Sequence, residues 1–160
     1  MGIESTAHTF GASIVSSDGT VFCDVKEVYA PEVGKGIHPR EAAQHHSQAA
    51  PEVLRRAFKE AGMKPRNIDA IAFSAGPGLG PALRTGATIS RALAVFLRKP
   101  IVPVHHAIGH IEIAALTTGA RDPLVVLVSG GHTAITAYAD RRWRIFGETE
   151  DITLGNVLDS

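Results

Sequence analysis

Two short segments, Ser5-Thr6-Ala7-His8-Thr9 and Ser129-Gly130-Gly131-His132-Thr133, begin 124 positions apart in the same local setting. Each follows a short apolar run and opens a strand, a polar turn and a second strand. Small residues and hydroxyls at such a turn let backbone N–H groups come close to a phosphate. Two facing hairpins of this kind are what holds a nucleotide in a cleft between duplicated domains. Two unrelated tight hairpins would carry the same residue types, since Ser, Gly and Thr are ordinary turn residues, but the shared order of elements favours duplication. The repeat predicts a first α/β domain over 1–120 and the start of its duplicate over 121–160. The sequence ends Leu158-Asp159-Ser160 inside what reads as the duplicate's first helix, with no C-cap and little helix to pack. It therefore reads as the N-terminal portion of a two-domain protein.

The elements between the repeats support an α/β layout. Phe10, Ala12, Ile14 and then Val21, Cys23, Val25 alternate with small or polar residues, the period-two pattern of strands. Asp18-Gly19 marks the hairpin between them, and Tyr29 reads as the end of a third strand. After a Gly/Pro-rich loop, a helix is expected from Pro39 to Ala61, with Pro51 kinking or splitting it and Gly62 stopping it. Ile68 to Ser74 reads as a buried strand, Pro81 to Arg98 as a helix, Ile101 to Val104 as a strand and His106 to Thr117 as a helix. Strands are expected again over 124–128, 134–138 and 143–146, with helix from Asp151. The strand–helix–strand–helix alternation predicts a sheet with parallel neighbours.

Composition narrows the class. Hydrophobic residues are 44% and charged residues 20% of 160, which excludes a disordered chain. Sixteen Lys and Arg against sixteen Asp and Glu exclude a free-standing basic nucleic-acid module. No apolar run is long enough to span a bilayer, and no secretory leader pattern opens the chain. A lone cysteine, Cys23, permits no internal disulfide and suits a reducing cytoplasm.

Few residues are placed for chemistry. His106 and His110 stand four apart in a predicted helix, so both face one side and can share a metal. The spacing is that of H-E-x-x-H, but Ala107 takes the place of the glutamate that would activate a metal-bound water, which excludes a zinc peptidase. Two ligands do not make a metal site, and a His-rich helix start used for packing would look the same. His45 and His46 project about 100° apart on their helix, so only one of them can line a cleft or interface, and both could simply be solvated. His105 reads as a bystander. The glycine-rich loop Gly76 to Pro81, followed by Arg84, offers an anion site at a helix N-terminus, or a loop that must pass close under another strand. It has neither a P-loop ending nor dinucleotide-type glycine spacing. Asp151, Gly155 and Asp159 form D-x-x-x-G-x-x-x-D, which puts both carboxylates on one helical face, for ribose hydroxyls or a hydrated cation.

Taken in order, GIESTAHT, KGIHPREAAQHH, FSAGPGLGPALRTG, HHAIGH, VSGGHT and GETEDITLGNVLD resemble the family that makes N6-threonylcarbamoyladenosine in tRNA. The first two segments are similar to its archaeal and eukaryotic branch, the catalytic subunit of the KEOPS complex. The resemblance implies an actin-like (ribonuclease H-like) duplicated fold, with the first domain complete and the second truncated. It implies transfer of a threonylcarbamoyl group from threonylcarbamoyl-adenylate to N6 of the adenosine beside the anticodon. His106 and His110 match its metal ligands, for iron or alternatively zinc. Leu127, Val128, Ser129, Gly130 and Gly131 match its nucleotide-contacting strand end, and Asp159 a carboxylate on the same adenylate or ATP ligand. No residue is assigned as catalytic. Archaeal members carry a metal-reaching tyrosine where Leu127 stands, and a further metal carboxylate lies beyond residue 160. The isolated chain is therefore expected to bind metal weakly and to be inactive. The implied partners are tRNA, a small dimerising KEOPS subunit on helices 39–61 and 81–98, and a kinase-type KEOPS subunit, all in the cytoplasm and away from membranes. Ala87, Ala92 and Ala94 suit close helix packing there, or on the chain's own sheet. A non-catalytic scaffold and a kinase of the same fold are the competing readings.

Overall fold

The period-two stretches pair as their patterning requires. In the computed structural model, which describes residues 1–32, 35–129, 131–154 and 157, strand β2 (Thr9–Val15) buries Phe10, Ala12 and Ile14 almost completely. Strand β3 (Val21–Val28) turns Cys23 and Val25 the same way. Val25 faces Ala12 across the antiparallel ladder. The hairpin is closed at Gly19, whose φ of 88° only glycine adopts cheaply, with Ser16 N–H donating to Thr20 O at 3.0 Å. Strand β1 (Gly2–Glu4) pairs antiparallel with β2 and parallel with β4 (Ile71–Gly76), which pairs parallel with β5 (Ile101–His105). The five strands run β3-β2-β1-β4-β5. Residues 68–70 lie outside β4, because Ile68 closes a short 3-10 turn over Pro65–Asn67.

Helix α1 (Pro39–Glu60) buries one stripe, Ala42, His46, Ala50, Val53 and Ala57, at helical spacing. It is not split at Pro51. The proline forgoes one backbone bond, and the packing of Val53 and Ala57 into the sheet holds the helix on both sides of it. Gly62, at φ 63°, ends α1: its N–H reaches Lys59 O at 3.2 Å and Met63 N–H reaches Phe58 O at 3.1 Å, a Schellman closure. Helix α2 (Gly80–Leu97) buries a stripe of small residues, Ala82, Gly86, Ser90 and Ala94. Ala94 thus joins the chain's own core, with Ile89, Leu93 and Leu97 packed beside it, while Val95 and Phe96 are 78% and 80% exposed. The core centres on Ile3, Phe10, Val25, Val53 and Ile71, each worth about 1.5–3 kcal/mol on burial.

The chain divides into two compact units, Met1–Gly109 and His110–Ser160. Helix α3 (His106–Thr118) carries the join. In the second unit, β6 (Val125–Val128), β7 (Thr133–Ala139) and β8 (Arg142–Glu148) form an antiparallel meander in that order. Asp140 and Arg141, both at positive φ, make its two-residue turn. The meanders β1-β2-β3 and β6-β7-β8 repeat one topology, as the sequence echo predicts. Asp151 is not helical; the helical turn starts at Leu154, with Val157 N–H donating to Thr153 O at 3.1 Å. Gly130, Gly155 and Asp159 lie outside the described residues. Among the described residues no helix is long and apolar enough to cross a membrane.

Candidate functional site

The carboxyl ends of parallel strands are where α/β sheets expose functional groups. Here β1 ends at Glu4, β4 carries Ser74 near its end, and His106 follows β5 directly. The three side chains meet. Glu4 Oε1 accepts Thr6 N–H at 2.6 Å and the Thr6 hydroxyl at 2.5 Å. Glu4 Oε2 accepts the Ser74 hydroxyl and, at 3.1 Å, His106 Nδ1. Burial works against the charged form of Glu4, but hydrogen bonds from Ser74 and Thr6, with His106 nearby, outweigh it and hold the carboxyl below the ordinary range.

The loop after Glu4 is fixed by its carbonyls. Thr6 O accepts Leu79 N–H at 2.7 Å, Ala7 O accepts His46 Nε2–H at 3.0 Å, and His8 O accepts Tyr29 N–H at 2.7 Å. Three different segments thus grip three successive residues. Ser5 is buried against Gly86, where an added Cβ would stand 1.8 Å from Ser5 Oγ and 2.8 Å from its Cβ. Gly78 lies against Thr6, where a Cβ would come within 2.4 Å of Thr6 O. The loop Gly76 to Pro81 therefore uses Gly78 for close backbone approach, to the loop residue Thr6 rather than under a strand as expected.

His46 is fully buried, neither solvated nor lining a cleft. With its Nε2 proton on Ala7 O, its Nδ1 is left to accept from His45 Nδ1 at 3.3 Å. Burial above all pushes its imidazole below the ordinary histidine value, against the pull of the Ala7 carbonyl.

His106 and His110 stand one turn apart along α3. His106 is half-buried in the first unit beside Glu4. His110 is exposed in the second, at the rim of a cleft of about 280 Å³ that Leu127 also lines. Val128 ends β6 and Ser129 follows it; Ser129 N–H donates to His132 O at 2.9 Å while the Ser129 hydroxyl accepts His132 N–H at 2.9 Å. Ser129 therefore spends its own N–H inside the hairpin. Gly131 is exposed at the same turn. Among the described residues no group of three or more His, Cys, Asp or Glu side chains gathers as a metal cage. The donor chemistry of the histidine pair nevertheless fits a transition metal: imidazoles suit iron and zinc, and a carboxylate on the far ring nitrogen is the usual support of a metal-ligating histidine.

Sequence reasoning missed Glu4, Ser74 and Gly86 as contributors, and placed His46 at a cleft, an interface or in solvent rather than buried against the loop. The available signal was a charged residue closing the strand Gly2-Ile3-Glu4 around buried Ile3, since a carboxylate drawn partly out of water needs several donors.

Residues 21–160 match the family model described as tRNA N6-adenosine threonylcarbamoyltransferase. A protein of that name from Caldivirga maquilingensis is 58% identical over 99% of this chain and 48% of its own length. Namesakes from Pyrobaculum islandicum and Hyperthermus butylicus are each 56% identical, over 99% and 100% of this chain and 47% and 44% of theirs. The chain spans about half the length of the curated relatives it matches. YeaZ from Pseudomonas aeruginosa, a solved structure, superposes with a TM-score of 0.61 at 20% identity, over 92% of this chain and 64% of that one. That likeness shows the fold, the actin-like α/β type that the motif order implies.

Proposed function

Because the chain belongs to the tRNA N6-adenosine threonylcarbamoyltransferase family, we propose that it contributes the N-terminal part of an enzyme that transfers threonylcarbamoyl from threonylcarbamoyl-adenylate to N6 of the adenosine beside the anticodon. The N6 nitrogen attacks the carbamoyl carbonyl, a C–N bond forms, the C–O bond to phosphate breaks, and AMP departs as N6 loses a proton. The observation that carries this reading is identity of 58% across 99% of the chain. A scaffold has no use for His106 and His110, and neither the scaffold nor the kinase reading is favoured by the family match.

His106 and His110 would hold the metal, iron or alternatively zinc, and when bound it supplies Lewis acidity toward the carbamoyl carbonyl or the ligand's phosphate. The hairpin from Leu127 to Gly131, with Asp159, would bind the adenylate. Glu4 and the clamped loop behind it keep His106 in place. A small dimerising KEOPS subunit would dock on α1 and α2, a reading supported by the exposed Val95 and Phe96. The tRNA and a kinase-type subunit complete the assembly, in the cytoplasm.

The test is reconstitution at the length of the relatives, with partner subunits, tRNA, threonine, bicarbonate and ATP, and mass spectrometry of the digested tRNA. Threonylcarbamoyladenosine should form, and His106→Ala with His110→Ala should lower it by two orders of magnitude or more. Undiminished product from the doubly substituted protein would overturn the metal assignment, and no product from the wild type would overturn the activity.

A further inference from the structure

We infer that Glu4 is a positioning residue that fixes the His106 imidazole in one tautomer, its proton on Nδ1 and its lone pair on Nε2. An ionised carboxylate only accepts hydrogen bonds and has about four lone-pair directions. Glu4 has four donors around it: Thr6 N–H and the Thr6 hydroxyl on Oε1, the Ser74 hydroxyl and His106 Nδ1 on Oε2. Its capacity is filled. A filled carboxylate has no lone pair to offer a metal, so Glu4 acts through His106 rather than beside it. Since Glu4 cannot donate, the proton between it and His106 belongs to Nδ1. With the proton of the neutral imidazole committed to Nδ1, Nε2 is the ring nitrogen that would carry the lone pair, the form in which histidine ligates a metal or accepts a proton.

The rigidity of the arrangement comes from strands. Glu4 ends β1, Ser74 lies in the neighbouring parallel strand β4, and His106 follows β5, the next one out. Thr6, the remaining donor, is held in turn by Leu79 N–H on its carbonyl and by the close approach of Gly78. The carboxylate is therefore oriented before any ligand arrives, which is what a supporting residue contributes. Its use in chemistry rests on the reading of His106 as a ligand; its geometry does not.

The test is 15N–1H long-range correlation spectroscopy on the full chain labelled at histidine, with His106 assigned by the lines lost in His106→Ala. In the wild type, Nδ1 of His106 should give a pyrrole-type resonance and Nε2 a pyridine-type one. In Glu4→Gln, the amide oxygen satisfies Thr6 and the NH2 group faces His106, so the two resonance types should exchange between the nitrogens. Co2+ titration should show affinity falling roughly 10–100-fold in the same variant. A wild-type His106 with its proton on Nε2, or averaging between tautomers, overturns the inference, and that spectrum needs no variant to fold. So does an unchanged tautomer in a folded Glu4→Gln. Ser74→Ala, which leaves Glu4 ionised and facing His106, should keep the wild-type tautomer; exchange there also overturns it. A fixed tautomer supports the positioning whether or not Co2+ is taken up, since this chain alone is expected to bind metal weakly; the metal reading is decided by the doubly substituted protein at the length of the relatives. Co2+ binding with equal affinity in wild type and Glu4→Gln counts against the positioning alone.

Discussion

At the scale of single residues, the loop Ser5–His8 shows how much is spent on holding a turn. Gly86 is required because Ser5 occupies the space its side chain would need. Gly86→Ala should destabilise the chain by about 1–3 kcal/mol, the usual cost of overpacking. Ser5→Gly removes both obstructing atoms, so the double variant should recover most of that loss. Urea unfolding of the four proteins of the cycle checks this, and strict additivity would show that Ser5 is not the obstacle. His46 makes a second prediction. Its folded pKa lies below its unfolded value, so the folded state binds fewer protons in acid. The stability it contributes is full above about pH 6.5 and is lost as pH falls through the folded value. The charges facing it, His45 on α1 and Glu4 and His8 near the loop, move the balance but leave burial dominant. His46→Asn should flatten the decline in unfolding free energy between neutral pH and pH 5, relative to wild type. Parallel declines would mean that His46 is protonated in the fold. Ser90 offers the opposite sign: its hydroxyl is fully buried and has no hydrogen-bond partner among the described residues. Ser90→Ala should raise stability by about 1 kcal/mol, and a loss on calorimetric melting would show that the hydroxyl is satisfied.

At the scale of elements, helix ends were legible where glycine or a following proline writes them. Gly62 announces the close of α1 through its positive φ. Helix α2 closes on Arg98, also left-handed at φ 54°, with Lys99 N–H on Ala94 O at 2.9 Å. Pro100, two residues on, signals that end in the sequence; the left-handed cap itself is seen only in the backbone geometry. Arg98→Gly should therefore stabilise the chain by about 0.5–1 kcal/mol, since a left-handed non-glycine residue costs 1–2 kcal/mol and glycine returns part of that as entropy. An unchanged or lower melting temperature would mean that the Arg98 side chain contributes more than its backbone loses. Pro51 taught the reverse lesson. Local propensity reads it as a break, but burial on both sides of it outweighs one missing hydrogen bond. The small-residue stripe of α2 packs on the chain's own sheet, one of the two readings its alanines allowed. Ala94 faces the core, and Ser90 and Gly86 complete a face that apolar counting overlooks. The candidate site was legible only in its histidines. Glu4 carries no motif spacing to His106, because 102 residues separate them and only the parallel pairing of β1, β4 and β5 brings them together.

At the scale of the molecule, charge and surface bear on one question. Sixteen basic and sixteen acidic residues leave no excess for phosphate neutralisation, which a tRNA-binding surface needs. On the proposed function, basic surface would come from the remaining length of the protein or from partners, and the proposed docking on α1 and α2 is where this chain would offer contact. Val95 and Phe96 are adjacent on α2, outside the core that Ala94 and Leu97 join. A large side chain such as Phe96, four-fifths exposed, contributes little to the fold, so Val95→Ser with Phe96→Ser should shift the unfolding free energy by no more than about 0.5 kcal/mol. Burial of the same pair against an apolar partner would be worth about 2 kcal/mol or more per side chain. The expected result is therefore a split: an unchanged melting curve, with affinity for the small dimerising subunit reduced at least about 30-fold in calorimetric titration. Equal affinity would move the docking face off the end of α2. A large loss of stability would show instead that the pair belongs to the fold, and the two measurements on one variant separate these outcomes.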